Sequence, residues 1–179
     1  MKEIEIKAHL KNKDDILGKL KTLGCFLSEP VRQVDTVCVK IIGNVEEYLK
    51  NDHFVRIRER GDGRFIFTVK KPFSKMVLTK AEHETEIKNA KELEQALFLM
   101  GYQISNKVIK FRQTTNYKEF EICIDEVEKL GSFIEIEKMS DGDVAVVRKE
   151  LNEFLTIFGI SSEDEVHKGY DIMAIEMGL

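Results

Sequence analysis

The sequence has no apolar run near 18 residues, which excludes a membrane-spanning helix. It has only two prolines, Pro30 and Pro72, and no stretch rich in Gly, Ser or Pro, so nothing marks a linker between domains. Its three cysteines, Cys25, Cys38 and Cys123, are odd in number and widely spaced. They give neither a disulfide framework nor a zinc spacing, and they fit a reducing cytoplasm as small packed apolar groups. A basic excess is also missing: 28 Lys and Arg against 32 Asp and Glu leave a net charge of −4. That argues against a general nucleic-acid binder. The start, Met1-Lys2-Glu3-Ile4-Glu5, enters a patterned segment at once, so no signal peptide is expected. With 179 residues, 42% of them hydrophobic, the expectation is a single cytoplasmic domain, 1–179, with a real core.

What the chain has in abundance is charge of both signs, 34% of its residues. Much of it alternates with apolar residues at period two, the signature of strands with one apolar and one polar face. Glu3, Glu5 and Lys7 oppose Ile4 and Ile6; Arg56 and Arg58 oppose Val55 and Ile57. Lys70 shares a face with Thr68, while Phe65, Phe67 and Val69 share the other, so parity favours Lys70 over Lys71 for the polar side. Lys80, Glu82, Glu84 and Glu86 have one parity; Lys110 and Arg112 oppose Ile109 and Phe111. Glu119, Glu121 and Asp125 oppose Phe120, Ile122 and Ile124, and Glu135 and Glu137 oppose Ile134 and Ile136.

Between these strands the period changes to that of helices. Asp14 to Leu23, Ala90 to Met100 and Asp143 to Phe158 each carry a Leu, Ile, Val, Met or Phe stripe and stop at Gly24, Gly101 and Gly159. A short further helix is expected over about Lys168 to Met177. Asp62-Gly63 reads as a hairpin turn and Asn116 as another. Strand, helix, strands recurs from Glu3 and again from Glu82, which suggests a pseudo-repeat.

Taken one strand at a time, the charged faces are best read as the wet side of an antiparallel sheet. Their sorting weakens that reading. Glu3/Glu5 and Glu135/Glu137 are acidic pairs, while Arg56/Arg58 and Lys110/Arg112 are basic pairs, and solvated faces usually mix signs. A sheet closed on itself with the charges inward would give a polar tunnel with basic and acidic walls and helices on its apolar outside. Inward Arg and Lys require a dense anion, for which phosphate oxygens suit the Arg fork and the Lys point charge. Paired inward carboxylates require a hard cation such as Mg²⁺ or Mn²⁺. A polyphosphate with a divalent metal satisfies both.

These residues resemble a known family, the CYTH superfamily of triphosphate tunnel metalloenzymes. Glu3-Ile4-Glu5-Ile6-Lys7 is similar to its N-terminal ExExK signature. Phe54-Val55-Arg56-Ile57-Arg58-Glu59 is similar to its RxR strand and Phe67-Thr68-Val69-Lys70-Lys71-Pro72 to its lysine strand. Lys80 through Glu86, Lys110-Phe111-Arg112, and Ile124-Asp125-Glu126-Val127 followed by Leu130 to Glu137 complete the order over nearly the whole chain. The resemblance implies an α+β fold, an eight-stranded antiparallel β-barrel with helices packed on the outside. It implies Glu3 and Glu5 as metal ligands with Glu137 or Glu135, Glu135 being favoured with Glu137 close by. It implies Lys7, Arg56, Arg58, Lys70, Lys80, Lys110 and Arg112 as triphosphate-binding residues. Asp125 would orient a reacting group or a second metal, and Lys7, Arg58 and Asp125 are the catalytic candidates. The chain departs from the family at Val37 and Cys38, where an aromatic residue is usual, at Lys71, where glycine often follows the lysine, and at Gly169-Tyr170 in place of Ser-Tyr.

The implied function is a Mg²⁺- or Mn²⁺-dependent enzyme acting on ATP or another triphosphate, with no nucleic-acid or membrane partner; the resemblance also suggests a homodimer. The compact length and the passage from Glu-Ile-Glu-Ile-Lys-Ala straight into a helix favour the class IV adenylyl cyclase branch. The alternatives are a triphosphatase acting on thiamine triphosphate, tripolyphosphate or a nucleotide, and a non-catalytic triphosphate-binding module. His9, His53, His83 and His167 lack ligand spacing.

Overall fold

The computed structural model describes residues 2–72 and 79–179, with the backbone alone described at 72, 79 and 80. The expected fold class is found: α+β, with eight strands in an antiparallel sheet and helices on its apolar faces. The strands are β1 (Lys2–His9), β2 (Val31–Val39), β3 (Phe54–Arg60), β4 (Phe65–Pro72), β5 (Thr79–Ile87), β6 (Gln103–Tyr117), β7 (Phe120–Val127) and β8 (Gly131–Ser140). The helices are α1 (Lys13–Thr22), α2 (Val45–Tyr48), α3 (Ala90–Leu99), α4 (Val144–Ile157) and α5 (Tyr170–Glu176).

Local chemistry sets the ends of the three long helices. Asn12, Asn89 and Asp143 accept hydrogen bonds from first-turn amides, and Gly24, Gly101 and Gly159 follow in the left-handed region. The helix α2 lacks a sequence signal beyond its cap, Asn44. The turn expected at Asn116 falls two residues later: β6 runs through Asn116 to Tyr117, and Lys118 takes the positive φ that reverses the chain. The strand–helix–strand order does recur, as β1-α1-β2 and β5-α3-β6.

The chain forms two compact units. The first takes residues 2–30 and 111–167, the second 31–72, 80–110 and 168–179. In the first, β8 pairs with both β1 and β7. Register puts Ile6, Ile136 and Ile122 in one row and Ala8, Ile134 and Ile124 in another. These rows are buried under Ile16 and Leu20 of α1 and Val147, Leu151, Phe154 and Leu155 of α4. Burial of that apolar face is the main source of this unit's stability, at about 25 cal/mol per Å². In the second unit β2, β3, β4 and β5 pair in sequence order. Their apolar face, with Cys38, Val55, Ile57, Phe67 and Val69, packs on Ala90, Leu93 and Leu97 of α3. In each unit the long helices, α1 and α4 in the first and α3 in the second, cover one face of the strands, and the charged residues lie on the other.

Candidate active site

In the first unit, β1 carries Glu3, Glu5 and Lys7 on the face away from α1 and α4. Register sets Glu5 opposite Glu137 and Lys7 opposite Glu135. Parity along β8 leaves Glu135 and Glu137 on one face; the register gives them different cross-strand neighbours. Glu3, Glu5 and Glu137 each offer an oxygen, all within 4.8 Å of one another. Glu135 is engaged differently: Lys7 Nζ lies 3.0 Å from it and Arg112 donates to it.

Arg112 also grips Asp125 with two bonds, Nε to Oδ1 at 2.7 Å and Nη2 to Oδ2 at 2.6 Å. Asp125 is wholly buried, so the pair is a charge-assisted fork held in a dry place. Burial would weaken the guanidinium's hold on its proton, but Glu135 and Asp125 outweigh it and hold Arg112 well above its ordinary range. Glu137 goes the other way. Burial, then the neighbouring Glu135, push its carboxyl up to about 8, with Arg112 opposing and Glu5 and Glu3 adding to the rise. Burial and the crowding of like charges thus outweigh Arg112, whose Nη1 lies 4.0 Å from Glu137. Cys123 shares this face, directly opposite Glu135, with Sγ 3.7 Å from Glu121. Burial pushes its thiol well up. The expectation of a merely apolar cysteine missed this, although Cys123 has the same parity as Glu121 and Asp125.

In the second unit the register places Asp35 opposite Arg58, Thr68 opposite Arg56 and Glu84, and Lys70 opposite Glu82. Arg58 forks onto Asp35, Nε to Oδ1 at 2.6 Å and Nη2 to Oδ2 at 2.8 Å. Arg56 donates to Glu84 at 2.8 Å, to Thr68 at 3.1 Å and to Glu82 at 3.2 Å. Thr68 Oγ1 donates to Glu84 at 2.7 Å, and Lys70 pairs with Glu82. Lys110 is buried on β6. Lys70 is buried and Lys71 exposed, so the parity argument holds. The side chain of Lys80 lies outside the described residues.

The basic residues of this unit are therefore interleaved with carboxylates, and sorting by strand does not carry over into sorting in space. Burial would raise Asp35, but the bond from Arg58 and the charges of Arg58, Arg56 and Lys110 prevail and hold it well below the usual carboxylate range. Glu84 is likewise lowered: burial opposes, Thr68 and Arg56 win. Among the described residues, Arg56 Nε is a buried donor without an acceptor. Sequence reasoning left Asp35, Glu82 and Glu84 out of the site. Their parity was visible; their partners, set by cross-strand register, were not.

A CYTH-domain family model matches residues 1–170. A protein of Methanocaldococcus jannaschii named as a putative adenylate cyclase is 31% identical over 173 residues, covering 95% of this chain and 97% of that protein. A solved structure from Pyrococcus horikoshii superposes with TM-score 0.82 at 24% identity, covering 98% and 99% of the two chains. A Hippeastrum structure, named as a putative adenylyl cyclase with a dominant triphosphatase activity, has TM-score 0.64 at 16% identity, covering 99% and 96%. At these identities both structures speak to the fold.

Proposed function

Because the chain belongs to the CYTH family, we propose that it is a divalent-metal-dependent enzyme that converts ATP to 3′,5′-cyclic AMP and pyrophosphate. The observation that carries this reading is the acid trio, Glu3, Glu5 and Glu137, whose oxygens lie within 4.8 Å of one another while Glu137 is raised to about 8. Three hard oxygen donors this close together fit Mg²⁺ or Mn²⁺. In the bound state such an ion supplies Lewis-acid polarisation of phosphoryl oxygens and lowers the pKa of a nearby hydroxyl.

The chain's own residues do the rest. Arg56, Arg58, Lys70, Lys80, Lys110 and Arg112 take the phosphate oxygens, and the unpartnered Arg56 Nε is a donor ready for one. Asp35 fixes the plane of Arg58, and Asp125 fixes that of Arg112. Donors aimed in advance stabilise developing charge without reorganising during the reaction. The ribose 3′ oxygen attacks the α-phosphorus, the bond to the bridging oxygen breaks, and the hydroxyl proton passes to solvent. Lys7 and Arg58 meet the charge that gathers on departing pyrophosphate.

Hydrolysis of the terminal phosphate is the second reading, and the activity in the Hippeastrum protein's name favours it. It needs the same residues, with water as nucleophile. Incubation with ATP, tripolyphosphate and thiamine triphosphate, each with Mg²⁺ or Mn²⁺, separates the two. Cyclic nucleotide with pyrophosphate is expected. Orthophosphate supports hydrolysis, and no product from any of them overturns both readings.

A further inference from the structure

The face of β2 and β3 that carries Asp35, Arg56 and Arg58 turns apolar towards one end, at Val37, Val39 and Phe54. There it packs on Tyr48 of α2 and on Ile172 and Ile175 of α5. The first turn of α5 is pinned twice at Asp171. Tyr48 donates its hydroxyl proton to the carboxylate, and Asn106 Nδ2 donates to the main-chain oxygen at 2.7 Å. Both bonds fix the residue directly after Tyr170. Tyr170 is 8% exposed and Lys110 3%, and the Tyr170 ring centroid lies 5.1 Å from Lys110 Nζ.

A lysine ammonium is a point charge on a flexible stem, with no planar fork to give it a direction. Arg58 and Arg112 are aimed by carboxylates that grip their forks. At Lys110 an aromatic face lies within the roughly 6 Å over which a ring attracts a cation. We propose that Tyr170 is a positioning residue whose ring holds the Lys110 ammonium where it meets a phosphate oxygen of the substrate. This rests on the reading of Lys110 as a triphosphate-binding residue. What matters on this account is the π face, not the hydroxyl and not the packed volume.

The test is calorimetric binding of tripolyphosphate in Mg²⁺ to the full chain. It is run on wild type, Tyr170→Phe, Tyr170→Leu, Lys110→Met and the Leu/Met double variant, with the melting temperature of each. Tyr170→Phe should bind within about twofold of wild type, and Tyr170→Leu about fivefold more weakly. In the Lys110→Met background Tyr170→Leu should cost nothing further in affinity, while still lowering the melting temperature through lost packing. If Tyr170→Leu does not fold, pentafluorophenylalanine at position 170 takes its place, since it keeps the shape and removes the negative ring face. An unchanged affinity, an equal loss in the Lys110→Met background, or a Phe variant as weak as the Leu variant overturns the proposal alone. A wild type that binds no tripolyphosphate overturns the triphosphate reading and this proposal with it.

Discussion

The two charged faces hold their charges in opposite states. In the first unit three carboxylates crowd together, and Glu137 sits up at about 8 because burial and its acidic neighbours outweigh Arg112. In the second unit these carboxylates face cations: the buried Asp35 is held far below its ordinary value by Arg58, and the more exposed Glu84 is lowered by Thr68 and Arg56. On the first face Arg112 grips Asp125 and Glu135 and reaches Glu137 only at 4.0 Å. The second is close to neutral, with guanidiniums already aimed. Similar residue types thus give a crowded acidic cluster in one place and an ion-paired network in the other, and the cross-strand partners make the difference.

The comparison can be broken first at Asp35. Asp35→Ala leaves a half-buried Arg58 without its fork partner and should destabilise the protein by about 3 kcal/mol, read from urea unfolding. Adding Arg58→Met should recover much of that loss. If Asp35→Ala is silent, the second face is not held by its ion pairs. Next is Glu5→Ala, which removes a member of the trio and should lower metal-dependent turnover by about 10²-fold or more. Folding should survive it, because it relieves crowding of like charges.

The two faces should also respond to pH with opposite signs. Glu137 has its folded pKa raised from 4.5 to about 8. Its favourable term is complete below 4.5 and fades as pH climbs to about 8, where the native state must give up the proton. Metal-free protein should therefore lose stability across that window, by at most about 5 kcal/mol, and Glu137→Gln should flatten the slope. Asp35 has its folded pKa depressed from 3.8. Its term is complete above 3.8 and fades as pH falls through the lower folded value. Urea midpoints in chelator from acid to pH 9 measure both. The smallest expected effect contrasts Lys71 with Lys70: Lys71→Ala, on the exposed side, should leave turnover within about twofold, while Lys70→Ala lowers it about tenfold.

Much of this was legible in the sequence because it is written in short periods. Alternation at period two gave the strand faces, and Gly24, Gly101 and Gly159 marked helix ends that the structure shows with positive φ. What was illegible depends on register between strands far apart in the chain. Parity puts Glu135 and Glu137 on one face, but only the pairing of Glu5 with Glu137 and Lys7 with Glu135 separates a trio member from an ion-pair partner. The same holds for Asp35 beneath Arg58. The four-residue helix α2 is too short to show a period, and Tyr48 became visible only through its contacts with α5.

The central claim is that the first face is a divalent-cation seat. Titration of the protein with Mn²⁺, following the electron paramagnetic resonance signal of the free ion, tests it most directly. The account predicts saturable loss of signal with wild type and none at the same concentrations with Glu5→Gln. Equal binding by both proteins, or binding by neither, would contradict it.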